Sequence, residues 1–355
     1  MIYSEFTNIK IAGISTAVPD NFIQTDNYKE LFGEKVIDDF MQVTGIKQTC
    51  RASPDQTASD FACLAARDVI ERSGINRDDI GFLIFVTQKP DYRMPSTAFY
   101  LHSRLNLNSD CSCFDINLAC SGFVYGLQTI ISMLQYSDKP YALLLTGDTT
   151  VKSISPKDKT MIMLFGDAGT ATLLQKTMAE QEKISFALRT DGKRFNAIVT
   201  PAGAYRNMGA PREDRIWNDG IERSDYDTHM KGMEVFAFSI TDVPKLIKEF
   251  VDFQGKDISS YDQVILHQAN RYIIKQIARK LKIPMEKIPI SIDKYGNTSS
   301  NSIPLVLCDH FSNKQGQIMK ILASGFGAGL SWAVCDLSLS TDIINHICFL
   351  KGGTV

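Results

Sequence analysis

The chain has 355 residues, of which 44% are hydrophobic and 22% are charged, and its formal net charge at pH 7 is −2. This length allows two domains or one large duplicated domain with a sizeable core. The near-neutral charge excludes a global positive field that would hold nucleic acid, so we expect no nucleic-acid partner.

The sequence carries no signal for export or membrane insertion. Its start has no basic segment followed by an apolar stretch, and the longest apolar runs, such as residues 82–86 and 142–145, are too short to span a bilayer. We therefore expect a cytoplasmic protein whose eight cysteines are reduced. Cys111 and Cys113 would supply only half of a metal site, and no second pair with ligand spacing follows, so no metal site is expected.

Predicted strands and helices alternate along the chain, which is typical of layered α/β folds. Strands are predicted over residues 9–14, 81–87, 114–118, 141–147, 170–174, 183–188, 264–266 and 289–292, and a glycine-interrupted hairpin over 318–337. Helices are predicted over residues 59–72, 234–253 and 271–281. Ser59 or Asp60 would cap the first helix and Gly74 would end it, whereas Pro244 would interrupt the second.

Two local matches predict an internal duplication. Residues 78–85 resemble residues 260–267, each a polar turn followed by a buried strand, and residues 165–172 resemble residues 325–332, each a glycine turn followed by a strand. Because the two pairs occur in the same order, we predict two similar halves, residues 1–178 and residues 179–355.

Cys120 lies at a turn between a predicted strand and a predicted helix, beside the helix N-terminus. The helix dipole and the free N–H groups there favour an anion, and therefore a thiolate over a thiol. The helix that follows is apolar on nearly every side, so it is predicted to be buried. The position suits a nucleophile for covalent catalysis, and a buried structural cysteine is the alternative.

Three further segments are candidates for a functional site, each with a structural alternative. His267 ends an apolar strand, where open α/β sheets place ligand sites, but a structural histidine fits equally well. Asn297 follows Gly296 and precedes small polar residues, which also suits a turn and a helix N-cap. The alternate glycines of Ser324-Gly-Phe-Gly-Ala-Gly-Leu-Ser-Trp332 would let backbone N–H groups form an oxyanion hole, and their spacing excludes a Rossmann motif.

Together these segments resemble the ketoacyl-acyl carrier protein synthase III family of thiolase-fold condensing enzymes over nearly the whole chain. The resemblance rests on Val43-Thr-Gly-Ile46, Ala119-Cys-Ser-Gly-Phe123, Leu164-Phe-Gly-Asp-Ala-Gly169, His267-Gln-Ala-Asn270, Tyr295-Gly-Asn-Thr-Ser299 and Gly325-Phe-Gly-Ala-Gly-Leu-Ser-Trp332. It implies a thiolase-like α/β fold, duplicated as five α-β-α-β-α layers. The first half would carry the nucleophilic Cys, and the second half the His and the Asn.

The resemblance implies a catalytic triad of Cys120, His267 and Asn297. Cys120 would attack an acyl thioester and keep the acyl group, while His267 and Asn297 donate hydrogen bonds to a malonyl-type thioester as it decarboxylates. The backbone N–H groups of Cys120 and Ala328 would form the oxyanion hole. The implied function is that of a 3-oxoacyl-acyl carrier protein synthase III, an acyltransferase that performs decarboxylative Claisen condensation in fatty acid or related acyl or polyketide biosynthesis.

Other functions stay open beside this one. Acyl transfer to an oxygen or nitrogen acceptor would use the same triad, whereas a catalytically silent partner subunit is disfavoured because the triad is intact. Asn297 separates the chain from elongating synthases, which have a second His there, and thiolases have a second Cys that the closing glycine segment lacks. Chalcone-type polyketide synthases share the triad and are not separated by these residues.

The resemblance also implies substrate contacts by Met94, Lys159, Arg271 and Phe326. Coenzyme A-using members grip the adenine with a Trp and an Arg, where this chain has Asp39 and Val43. We therefore expect thioester substrates carried by an acyl carrier protein, with no permanently bound cofactor. We also expect a homodimer that pairs through residues 114–118. The long segment 204–231 is expected to be functional, mobile or a solvated excursion.

Overall fold

The computed structural model describes residues 1–178 and 183–353. Over these residues the strands of the two main sheets are β1 (Ile2–Phe6), β2 (Ile9–Pro19), β3 (Ile80–Val86), β4 (Ser112–Ile116), β5 (Tyr141–Asp148), β6 (Ala168–Lys176), β7 (Ile184–Thr190), β8 (Gln263–Leu266), β9 (Ile318–Gly327), β10 (Ser331–Ser340) and β11 (Ile344–Leu350). The longer helices are α1 (Glu34–Thr44), α2 (Ala58–Ser73), α3 (Thr97–Arg104), α4 (Gly122–Gln135), α5 (Gly232–Phe253), α6 (Arg271–Leu281) and α7 (Ser302–Phe311). Short strand pairs join Phe22–Gln24 to Gln48–Cys50, Ile198–Val199 to His229–Met230, and Arg215–Ile216 to Glu222–Arg223.

These elements stack in five layers. Helices α2 and α3 cover the outer face of one sheet, α4 and α7 lie between the two sheets, and α5 and α6 cover the outer face of the other. In β3, Ile84 and Val86 face the central layer, while Leu83 and Phe85 face α2. Because helices cover both faces of the sheet, its central strands are continuously apolar rather than alternating.

The two sheets repeat one arrangement of four strands. Their strand orders are β11-β2-β6-β5-β3-β4 and β1-β7-β10-β9-β8. The series β2-β6-β5-β3 corresponds to β7-β10-β9-β8, because in each the last two strands are parallel and the other neighbours antiparallel. The duplicated five-layer thiolase-like fold is therefore confirmed.

The two halves also exchange their end strands. Strand β1 joins the sheet built by the second half, and β11 joins the sheet built by the first half. The predicted boundary between residues 178 and 179 adjoins residues 179–182, which lie outside the described residues. The division at that point stays a prediction.

Several predicted bounds shift for identifiable reasons. Thr57, rather than Ser59 or Asp60, is the N-cap of α2, with Asp60 completing a capping box, and Gly74 ends that helix at a φ of 63°. Helix α5 runs through Pro244 without ending. The strand predicted over residues 289–292 is wrong. The carbonyl oxygen of Ile290 and the N–H of Ser291 bond to the side chains of His310 and Gln268 instead of to a neighbouring strand.

The two halves meet at Gly166, in the glycine turn before β6. Asn297 N–H donates to the Leu164 carbonyl oxygen (2.9 Å), and Gly166 N–H donates to the Asn297 carbonyl oxygen (3.0 Å). A Cβ on Gly166 would lie 1.9 Å from the carbonyl oxygen of Tyr295. The absence of a side chain at residue 166 therefore lets the segment that carries Asn297 dock on the first half.

We expect Gly166→Ala to lower the free energy of unfolding by about 1–3 kcal/mol or more, because the new methyl group forces two backbone segments apart. The matched control is Gly192→Ala, where a Cβ would meet nothing within 4 Å. Equilibrium denaturant unfolding of both variants measures the effect. Equal stability of the two variants would contradict the proposed close approach.

Candidate active site

Cys120, His267 and Asn297 line one cavity of about 440 Å³. All three are buried, with 9%, 2% and 5% of their surface exposed. The remaining wall is largely apolar and includes Val36, Phe40, Val43, Leu164, Phe165, Ile198, Met230, Val235, Phe236, Ile273 and Phe326. The fold thus brings together three polar side chains that are far apart in sequence, within an apolar cavity typical of ligand sites.

Cys120 is held at the start of α4 by the strand β9. It directly precedes Ser121, the N-cap residue of that helix. A Cβ on Gly327 would lie 2.7 Å from Cys120 Cβ and 3.1 Å from its Sγ, and a Cβ on Gly325 would lie 2.9 Å from the Cys120 carbonyl oxygen. The alternate glycines therefore allow a close backbone approach, and the group approached is Cys120 rather than a ligand.

Two backbone donors lie beside this thiol. Ala119, Cys120 and Ala328 form one small buried cluster. Within residues 1–178 and 183–353, neither the Cys120 N–H nor the Ala328 N–H donates to another residue. Unpaired N–H groups next to a nucleophile are the parts from which an oxyanion hole is built.

His267 continues the line of β8 into the cavity. Its N–H donates to the Ser324 carbonyl oxygen (2.8 Å), and its ring stands edge-on to the Phe326 ring at 5.3 Å between centroids. Ring atom Nδ1 lies 2.7 Å from the Ser302 Oγ. Burial lowers the pKa of His267 to about 3, so the imidazole is neutral at neutral pH.

The Asn297 side chain is fixed by the residues that follow it. Its Oδ1 accepts a hydrogen bond from the Ser299 N–H at 2.9 Å. Ser299 adopts a φ of 56°, a left-handed conformation that non-glycine residues seldom adopt outside functional sites. Since Oδ1 is occupied, the amide Nδ2 with its two hydrogens is the group that Asn297 offers as a donor to the cavity.

The thiolate predicted for Cys120 is not the resting state of this site. Burial raises the pKa of Cys120 to about 12, although the Ser299 hydroxyl, 3.9 Å from Sγ, partly offsets that rise. The loss of water around the sulfur is the largest cause of this rise. The resting site therefore pairs a neutral thiol with a neutral imidazole.

The four expected substrate contacts divide into two groups. Lys159 and Phe326 line the cavity. Arg271 does not line it; its exposed side chain packs over Gly45, next to the cavity-lining Thr44, and so lies at the rim. Met94 does not reach the cavity of its own chain.

Met94 is 84% exposed on the loop that precedes α3. The carboxylate of Asp91 accepts hydrogen bonds from Ser59 and Thr57, and Arg93 donates to the Gly203 carbonyl oxygen. These bonds hold the loop on the surface, with Met94 turned outward. Within a single chain, Met94 therefore does not contact the pocket, contrary to the expectation from the sequence.

Sequence reasoning missed helix α1, which supplies one wall of the cavity. Val36, Phe40 and Val43 all line it. Their spacing of four and three residues is a helical apolar face, so a signal was present in the sequence.

The segment 204–231 is also part of the site. Its end pairs His229–Met230 with Ile198–Val199, which places Ile198 and Met230 in the cavity wall. Arg223 donates to the Asp158 carboxylate at 3.1 Å, and both side chains are at least 95% buried. Residues 221–231 are therefore a structured part of the wall, whereas residues 204–220 are mostly exposed to solvent.

The described residues contain no group of three or more His, Cys, Asp or Glu side chains placed to hold a metal ion. All eight cysteines are unpaired, including Cys111 and Cys113.

Within residues 1–178 and 183–353, no helix has the length and apolar character needed to cross a membrane.

The chain is similar to known proteins over most of its length. The model of the 3-oxoacyl-[acyl-carrier-protein (ACP)] synthase III family matches residues 114–192, and the model of its C-terminal part matches residues 251–338. A relative from Campylobacter jejuni is 34% identical over 94% of this chain and 95% of its own length. The beta-ketoacyl-[acyl-carrier-protein] synthase III of Clostridium perfringens is 31% identical over 94% of this chain and 99% of its own.

Solved structures show the same likeness. The crystal structure of a 3-oxoacyl-(acyl-carrier protein) synthase from Burkholderia xenovorans superposes with a TM-score of 0.91, at 31% identity, over 98% of this chain and 99% of that one. Fold, motif order and relatives agree over nearly the full length. The chain belongs to the 3-oxoacyl-[acyl-carrier-protein] synthase III family.

Proposed function

We propose that this protein is an acyltransferase that loads an acyl group onto Cys120 and condenses it with a malonyl-type thioester, in fatty acid biosynthesis. The observation that carries the proposal is the convergence of Cys120, His267 and Asn297 on one apolar cavity. The family relationship supports condensation over acyl transfer to an oxygen or nitrogen acceptor. The cytoplasmic location expected from the sequence stays a prediction.

In the first half-reaction, Cys120 Sγ forms a bond to the thioester carbonyl carbon. The N–H groups of Cys120 and Ala328 hold the oxygen that becomes negative. Collapse of this intermediate breaks the bond to the donor sulfur, which leaves as a free thiol with the proton that Cys120 gave up. Because Cys120 starts as a thiol, the net charge of the site is unchanged by acylation.

In the second half-reaction, the malonyl thioester loses carbon dioxide and its electrons form an enolate. A ring N–H of His267 and the Nδ2 group of Asn297 donate hydrogen bonds to the enolate oxygen. The enolate carbon then forms a bond to the acyl carbon on Cys120, and the bond from that carbon to Cys120 Sγ breaks. The 3-oxoacyl thioester is released, and the Cys120 thiolate takes a proton from solvent to restore the thiol. His267 acts as a neutral donor, since its pKa of about 3 leaves it without a second proton.

We expect His267→Ala and Asn297→Ala to slow carbon dioxide release from the malonyl thioester by about a hundredfold to a thousandfold, because each removes one donor to the enolate. Acylation of Cys120 should change much less. Radiolabelled carbon dioxide and intact-protein mass spectrometry measure the two steps. The control is Ser239→Ala, a cavity residue whose hydroxyl bonds to the Val235 carbonyl oxygen.

Two outcomes of this experiment would count against the roles. A normal rate of carbon dioxide release by Asn297→Ala would remove Asn297 from the enolate step. Natural turnover by the unaltered enzyme without carbon dioxide release would instead favour transfer to an oxygen or nitrogen acceptor.

We further propose that the acyl donor arrives on an acyl carrier protein. Asp39 and Val43 line the cavity, and Val43 is 52% exposed, so both stand near its mouth. An aspartate there repels the phosphates of a nucleotide, and a valine offers neither charge nor a stacking plane. Lys159 in the lining and Arg271 at the rim supply positive charge for an acidic carrier.

We expect the specificity constant for Cys120 acylation to be about tenfold to a hundredfold higher with an acyl carrier protein donor than with the matched acyl-coenzyme A. The double variant Asp39→Trp/Val43→Arg should narrow that gap by improving use of the coenzyme A donor. Rapid-quench acylation assays measure the specificity constants for the two donors. A higher constant for coenzyme A in the unaltered enzyme would overturn this assignment.

A homodimer is also proposed. Strand β4 is the edge of its sheet, and four of its five residues are half-buried. An open strand edge offers unpaired N–H and C=O groups to a second strand. Exposed apolar side chains lie on the adjacent loop and on α3, namely Tyr92, Met94, Phe99 and Tyr100. Pairing of two β4 strands would cover this surface. Strand β4 begins at Ser112, two residues earlier in the chain than the predicted strand 114–118.

Sedimentation velocity at micromolar concentration should give a mass near two chains, and Phe99→Asp should weaken the association because it places a charge on the covered surface. Met208→Asp is the control, since Met208 is exposed to a similar degree, 62% against 55%, elsewhere on the surface. A mass near one 39.6 kDa chain for the unaltered protein would contradict the dimer.

A further inference from the structure

Ser302 bonds to the catalytic imidazole from the side away from the cavity. It is the first residue of α7, and its Oγ lies 2.7 Å from His267 Nδ1. Ser302 is 1% exposed and does not line the cavity, whereas His267 does. Because Nδ1 is occupied by Ser302, Nε2 is the ring nitrogen that serves the substrate.

The position of the ring proton follows from the needs of the Ser302 hydroxyl. A hydroxyl has one proton to donate, and within the described residues His267 Nδ1 is its hydrogen-bond partner. If Nδ1–H donated to Ser302, the hydroxyl proton would be buried without an acceptor, which is an unfavourable state. If Ser302 donates to Nδ1, both groups are satisfied and the ring proton lies on Nε2.

A second possible hydrogen-bond acceptor lies beside the His267 ring. The Ser299 carbonyl oxygen also lies close to the His267 ring, and an Nδ1–H could donate to it. That oxygen already accepts the N–H of Ser302, which closes the turn before α7. A carbonyl oxygen has a second lone pair, but an Nδ1–H donated to it would leave the Ser302 hydroxyl without an acceptor, so the Ser302 hydroxyl determines the tautomer.

We propose that Ser302 is a positioning residue that holds His267 as the Nε2–H tautomer, so that an N–H group and not a lone pair faces the enolate oxygen. The proposal rests on the proposed function in one respect, the role of His267 as an enolate donor. A ring nitrogen without a proton would repel the oxygen it is meant to stabilise. Since burial keeps the ring neutral, only one ring nitrogen carries a proton, and its location decides whether the site works.

The tautomer is measured directly by nitrogen-15 NMR of the full chain labelled at histidine, with His267 assigned from the signals that His267→Gln loses. The unaltered protein should show the Nε2–H pattern, and Ser302→Ala should show a mixture or the Nδ1–H pattern. Ser300→Ala is the matched control, because the hydroxyl of Ser300, two residues before Ser302, donates to the Asp148 carboxylate instead of to His267. Ser302→Thr keeps the hydroxyl and should keep the Nε2–H pattern.

The kinetic consequence is specific to one step. Ser302→Ala should lower the rate constant for malonyl decarboxylation by about three- to tenfold, the size of one lost hydrogen bond, while Cys120 acylation and the malonyl KM change little. Ser302→Thr should restore the rate. A purely structural role would instead slow both half-reactions together.

An Nδ1–H pattern in the unaltered protein would overturn the proposal without need of any variant. So would an unchanged Nε2–H pattern in a folded Ser302→Ala protein. If the predicted tautomers are seen but the unaltered protein releases no carbon dioxide from any malonyl thioester, the tautomer assignment stands and the proposed function fails.

Discussion

The site depends on the close contact of backbone with backbone around Cys120. Gly325 and Gly327 let strand β9 pass directly over the nucleophile, and Gly166 lets the segment of Asn297 dock on the first half of the chain. A methyl group at any of these three glycines would meet a neighbouring atom at 2.9 Å or less. Because both halves of the duplicated fold supply parts of this contact, neither half alone would hold the triad.

The same contact sets the electrostatics of the site. Exclusion of water raises the pKa of Cys120 and lowers that of His267, so the resting groups are neutral. In the proposed mechanism, negative charge then develops on the oxygens of the acyl-transfer intermediate and of the enolate, and on the Cys120 sulfur when it is released. Fixed N–H donors in a dry site stabilise such charge more strongly than water does, because they need not reorganise. The proposed mechanism therefore assigns the rate advantage to donors held in place and not to a preformed thiolate.

The sequence predicted the layers because their signals are local: strand β3, for example, reads as an unbroken apolar run. The triad was implied by the family resemblance, since the segments of Cys120, His267 and Asn297 each had a structural alternative. The sign of the Cys120 pKa shift was missed, since it depends on how much water the other half removes. Met94 lies outside the cavity of its own chain because hydrogen bonds of Asp91 and Arg93 to distant residues set its direction, which the local sequence does not show. Ser302 carried no sequence signal at all, as its partner lies 35 residues away.

The most direct test of the account is to follow the acyl group by mass spectrometry of peptides after incubation with an acyl carrier protein donor, and again after a malonyl thioester is added. The account predicts added mass on the peptide that contains Cys120. It also predicts that this mass disappears as carbon dioxide and a 3-oxoacyl product form. Covalent acylation of a Cys120→Ala protein, or an acylated Cys120 that the malonyl thioester fails to discharge, would contradict it.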